Sequence, residues 1–182
     1  MLHAPRTLVL ICCLAALAGC AREEREVTST GTPEWRASPG RGATPRAASA
    51  ANYVAAAAAI DLFVIRSSEL ALQHSARART RDFAIQEISA HKGLASQLSF
   101  AGRRLNLLPS ATLSARYQAL IDRLQTAPDF DATYRQEQLQ VHREALTLHS
   151  NYATAGRSPT LRPVAAAAVP IIQRHLRLIR YL

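Results

Sequence analysis

Residues 52–75 read NYVAAAAAIDLFVIRSSELALQHS. Tyr53, Ala57, Ile60, Val64 and Ala71 recur at spacings of three, four and seven, which stacks them on one stripe of an α-helix. No glycine or proline interrupts the run, and strict apolar–polar alternation is absent, so a strand is excluded. A helix of this length cannot bury its stripe alone. It requires partners of similar length.

The rest of the chain supplies them. A second helix is predicted over about 79–105, with Ala84, Ile88, Ala95 and Leu98 in register, and Asn106-Leu-Leu-Pro109 breaks it. A shorter helix over about 111–126 carries Leu113, Tyr117, Leu120 and Leu124, with Ser110 as its N-cap. Pro128-Asp129 opens a fourth over about 129–155, with Phe130, Tyr134, Val141, Ala145, Leu148 and Tyr152 on its stripe. Gly156-Arg-Ser158-Pro159 is a stop-and-start signal, with glycine past one helix, serine as N-cap and proline at the first position of the next. The last helix runs to Leu182, and Pro170 in its interior is expected to kink it or loosen one turn. Four long helices and one short one between the second and third make an all-α fold, a four-helix bundle over 51–182. The crossover through the short helix either returns the chain along the bundle, as in ferritin-like folds, or caps one end.

Upstream the composition differs. A polar start bearing Arg6 precedes an apolar segment, Leu8 to Leu17, which is too short to span a membrane. Leu17-Ala18-Gly19-Cys20 closes it and resembles the bacterial lipoprotein signal, which is cleaved before the cysteine as that residue is lipidated. On this reading residues 1–19 are a signal peptide, Cys20 carries the lipid, and several acyl chains give stable anchoring. The alternatives are an ordinary signal peptide or an N-terminal anchor with a chance cysteine. Ala21, in place of aspartate, leans towards the outer membrane. Residues 20–50 hold Pro33, Pro39 and Pro45 among glycine, serine and threonine and read as a disordered tether. The remaining cysteines, Cys12 and Cys13, leave with the signal, so no disulfide framework is expected.

The formal net charge is +9, and Lys92 is the only lysine. An envelope address makes nucleic acid a poor partner for an arginine-rich surface. Besides the membrane reached through the lipid, anionic lipid or an acidic envelope protein fits better.

Four polar residues fall on or beside the apolar stripes. Glu69 lies between Ile65 and Leu72, His91 between Ile88 and Ala95, and His175 continues Ala168 and Ile172 towards Ile179. His142 sits at the edge of the Val141–Ala145 stripe. At about 1.5 Å per residue the three histidines come to mid-height, with Glu69 roughly 7 Å higher. Imidazole and carboxylate suit zinc, copper, iron or manganese. A hydrogen-bonded polar cluster is the commoner use of such residues, and a pH-responsive cluster is a third reading. Glu87, four residues before His91, is placed to orient it from the same face. His74 and His149 read as surface-facing.

Glu69-Leu70-Ala-Leu72, the His91 helix, the Tyr134-to-His142 helix and Val169-Pro170-Ile-Ile-Gln173-Arg-His175-Leu176 together resemble the domain of unknown function 4142 family, across about residues 51–182. The resemblance implies a small bacterial envelope protein with a ferritin-like bundle. It also implies a recurring glutamate in the first helix and one histidine in each of the other three, which correspond to Glu69, His91, His142 and His175. The Asp-His pairs of that family appear here as Ala90-His91 and Val141-His142. Ile88, Leu139 and Ile172 stand three residues before the histidines, so the Glu-x-x-His signature of di-iron bundles is absent. No His-Glu-x-x-His, phosphate-cradling glycine loop or Gly-x-Ser-x-Gly occurs. The favoured expectation is a non-enzymatic, lipid-anchored bundle with a binding or structural role on the periplasmic face of the outer membrane. A bundle that binds a transition metal ion is the alternative.

Overall fold

The computed structural model describes residues 49–182. The lipobox, Cys20 and the tether lie outside the described residues, apart from the last two positions before residue 51. Five α-helices follow: α1 (Ala50–His74), α2 (Ala78–Arg103), α3 (Ala115–Gln125), α4 (Phe130–Ala155) and α5 (Arg162–Leu178). A 3-10 turn over Ile179–Tyr181 ends the chain.

Side-chain hydrogen bonds define the topology. Tyr53, early in α1, meets His149, late in α4, while Ser68 near the other end of α1 meets Tyr134 early in α4. These two helices are therefore antiparallel. Gln86, early in α2, meets Arg174, late in α5, so that pair is antiparallel as well. Short turns make α1–α2 and α4–α5 antiparallel hairpins. The order around the bundle is α1, α2, α5, α4, running up, down, up, down, which makes the chain order up-down-down-up. This topology needs a connection as long as the bundle between α2 and α4. Residues 104–129 provide it: α3 lies against α1 and α4 and inserts Tyr117, Ile121 and Leu124 into the core. The bundle is thus ferritin-like, and the crossover returns the chain rather than capping an end.

Local chemistry sets the element ends. α2 closes in a Schellman motif, with the Leu107 N–H donating to the Gly102 carbonyl and the Asn106 N–H to the Arg103 carbonyl. Asn106 takes the left-handed conformation there, at φ 56°. Gly102 is required because a Cβ at that position would strike the Leu107 carbonyl. α3 begins four residues later than its apolar spacing suggests. Its N-cap is Ser114, which accepts from the Tyr117 N–H, whereas Ser110 closes a loop turn with Thr112. Ser158 accepts from the Leu161 N–H in a turn that precedes α5 proper. α5 continues through Pro170 without a break. The carbonyl four residues back belongs to Ala166, an exposed residue, where water can satisfy it.

Three apolar clusters stack along the axis. The first surrounds Tyr53, Leu98 and Leu161; the second Phe63, Leu94 and Ile172; the third Phe83, Tyr134 and Ile179. Between the second and third the core is polar.

Candidate metal centre

Four ligating side chains converge at that level. Glu87 and His91 project from α2, His142 from α4 and His175 from α5. One donor atom of each lies within 4.8 Å of all the others, and all four residues are buried. Glu87 is at the centre. Its Oε2 is 3.2 Å from His91 Nε2 and 3.1 Å from His142 Nε2, and its Oε1 is 2.8 Å from His175 Nδ1. His142 Nε2 and His175 Nδ1 are 3.3 Å apart.

The outward nitrogens are held in place. His91 Nδ1 donates to Asp61 Oδ1 of α1 across 2.8 Å, and His142 Nδ1 donates to the Gln138 carbonyl across 2.9 Å. Because the acceptors fix the proton on Nδ1, the neutral ring of each histidine directs its Nε2 lone pair inward. Inside the cluster, Glu87 Oε1, Glu87 Oε2 and His91 Nε2 are buried with no aligned hydrogen bond. Lone pairs of two imidazoles thus face carboxylate oxygens. Such an arrangement requires positive charge among them, from added protons or from a cation.

The electrostatics agree. Burial opposes ionisation of Glu87, but the surrounding imidazoles, His142 foremost, hold its carboxyl well below the usual range. Burial likewise opposes charge on His91, but the hydrogen bond to Asp61 and the carboxylate of Glu87 beside its other nitrogen raise it to about 9. Burial raises Asp61, with His91 partly offsetting it, and burial lowers His175. Of the four residues, His175 lines a surface groove between α2 and α5, together with Gln86, Ala90, Pro170 and Arg174.

The structure brings His91, His142 and His175 together, but Glu69 is not with them. Glu69 is half-buried on the edge of α1 and lines a different groove with Arg66, Gln73 and Leu113. The carboxylate at the centre is Glu87. Its position follows from the true inner face of α2, which runs Phe83, Glu87, His91, Leu94, Leu98. Ile88 and Ala95 are only half-buried, so the apolar stripe traced from them is rotated off this ridge. His142 is fully buried rather than at an edge. His149, expected at the surface, is also buried, and its Nδ1 lies 3.1 Å from the Tyr53 hydroxyl. His74 is exposed as expected. Asp61 carries a sequence signal in retrospect: Ala57, Asp61, Val64 and Ser68 form one buried row on α1.

The donor set passes a test of fit. A tetrahedral ion with bonds of about 2.0–2.1 Å holds its donors about 3.3 Å apart. The separations around Glu87 and between His142 and His175 run from 2.8 to 3.3 Å, and the whole donor set lies within 4.8 Å. Hydrogen-bonded Nδ1 atoms behind two of the imidazoles are the supports a metal-ligating histidine uses.

Comparison with known proteins bears on fold and family. Residues 36–182 match the family described as "Domain of unknown function (DUF4142)". Solved structures of similar fold include "CopM in the Cu(II)-bound form", with 14% identity and a TM-score of 0.65, covering 75% of this chain and 96% of that one. "CopM in the Cu(I)-bound form" matches with 15% identity, a TM-score of 0.63 and coverage of 74% and 94%. "CopM in the Ag-bound form (by co-crystallization)" follows with 15% identity, a TM-score of 0.61 and the same coverage. At these identities the likeness is one of fold. No curated protein matches the chain.

Proposed function

The chain belongs to the domain of unknown function 4142 family, and from that premise we propose that it is a metal-binding helical bundle whose ion is held by Glu87, His91, His142 and His175. The observation that carries the reading is the inward convergence of buried, unaligned donor atoms whose outward partners are already satisfied. The likeness to the copper- and silver-bound CopM structures supports it, because a bundle of this fold holds metal there. Three imidazoles and a carboxylate suit zinc or copper, with iron a further candidate. The role is binding or buffering, and no catalytic step is assigned. The lipobox reading adds an address: a bundle tethered through Cys20 to the periplasmic face of the envelope.

Elemental analysis of untagged protein purified from its native envelope tests the first part. Stoichiometric metal is expected, lost in His91→Ala and His175→Ala and retained in Glu69→Ala. Metal at background in the wild type, with no change in melting temperature on adding zinc, copper or iron, returns the cluster to a purely structural role. For the address, Cys20→Ser is expected to free the protein from the membrane fraction or leave it uncleaved. Cleavage and fractionation identical to wild type contradict the anchor.

A further inference from the structure

We infer that the centre discriminates by charge, taking dications over monocations, and that Asp61 supplies one of the two negative charges behind this preference without touching the ion. The inference rests on the metal-binding reading above.

The core at this level contains two carboxylates, Asp61 and Glu87, both almost wholly buried. Three imidazoles surround them, and among the described residues neither carboxylate is paired with an arginine or lysine. Glu137, also buried, is a separate case, because it accepts from Arg123 on α3. Coordination needs the bare Nε2 of His91, so the ring that carries charge in the empty cluster is neutral once an ion is bound, and the site presents two negative charges to that ion. A dication makes the core neutral. A monocation leaves one charge uncompensated among Leu94, Val141 and Ile172, and buried unpaired charge is strongly disfavoured.

The donor chemistry points the same way. Residues 49–182 contain neither cysteine nor methionine. Soft monovalent ions such as Cu(I) and Ag(I) are favoured by sulfur, whereas imidazole and carboxylate favour borderline dications. CopM has been described with Cu(I) and with silver bound, so the expectation for this chain separates it from a protein of similar fold.

Asp61 is a positioning residue. Its Oδ1 accepts from His91 Nδ1 at 2.8 Å, so it orients the ring whose other nitrogen faces the centre, and its charge acts through that ring. Asp61→Asn is the informative variant, since the amide oxygen can still accept from Nδ1–H while the negative charge is gone. With one carboxylate left, a monocation becomes the neutralising ion and a dication leaves an excess positive charge.

The test is competitive equilibrium dialysis of Zn2+ against Ag+ on the full chain carrying Cys12→Ser, Cys13→Ser and Cys20→Ser, so that no thiol competes for silver. The parent is expected to retain zinc in preference to silver. In Asp61→Asn the zinc-to-silver affinity ratio is expected to fall about tenfold or more, because one unit charge acts twice as strongly on a dication as on a monocation. An equal loss for both ions overturns the inference and leaves Asp61 as a structural support. A parent that binds silver as well as zinc overturns it too, whether or not the variant folds. A parent that binds neither ion fails the metal-binding reading instead.

Discussion

His149 shows how a titratable side chain in this core links acidity to stability. It is buried beside Tyr53, which stacks on Tyr152 with ring centroids 3.9 Å apart. Burial, with the charge on His91 adding to it, lowers its pKa to about 4. A histidine held neutral in the fold contributes stability fully above its unfolded pKa near 6.5, and loses it as pH falls towards 4. The wild type is therefore expected to lose on the order of 2 kcal/mol through this residue by pH 4.5. His149→Asn is expected to show a smaller drop in melting temperature between pH 7 and pH 4.5, measured by circular dichroism. An equal drop argues against a buried neutral imidazole. At this scale the sequence was legible where apolar spacing alone decided burial, as at Tyr53 and Val64. It misled where a polar residue shared a buried row, as at His149, four residues after Ala145. It was also ambiguous at Glu69 and Glu87, which both sit at helical spacing from apolar neighbours. Only the rotation of each helix in the bundle separates them, and packing sets that rotation.

Among the elements, α2 gains most from the structure. Its C-terminus was readable because Asn106 tolerates the left-handed conformation and Pro109 bars continuation. Gly102 looks like a weak point in a helix, since alanine has the better helix propensity by about 1 kcal/mol. The Schellman closure reverses that expectation. Gly102→Ala places a Cβ against the Leu107 carbonyl, so the last turn must open, and a loss of roughly 1–3 kcal/mol is expected in urea denaturation. A stabilised variant shows that the turn yields freely. The start of α3 was less legible, because Ser110 and Ser114 both precede apolar residues at suitable spacing. Only Ser114 finds a free N–H in the first helical turn, at Tyr117. Pro170 is expected to kink α5 or loosen one turn, and the helix stays unbroken through it, with the carbonyl deprived of its donor belonging to the exposed Ala166.

Over the whole molecule, the count of helices and the length of the crossover fixed the bundle but left open which ends meet. The pairs Tyr53–His149, Ser68–Tyr134 and Gln86–Arg174 decide it. Each of the four long helices contributes to the polar level: Asp61 from α1, Glu87 and His91 from α2, His142 from α4, His175 from α5. An ion bound there joins the α1–α2 hairpin to the α4–α5 hairpin across segments far apart in the chain. Zinc is therefore expected to slow amide hydrogen exchange in all four helices together, read by mass spectrometry, whereas protection confined to α5 contradicts a ligand set drawn from both hairpins. On the proposed metal-binding reading, the same shared ownership determines when affinity first arises during folding. Neither hairpin holds enough donors by itself, so a chain with one hairpin undocked has no coordination sphere to offer. Ion capture then follows docking, and the occupied fraction of a population counts its finished molecules.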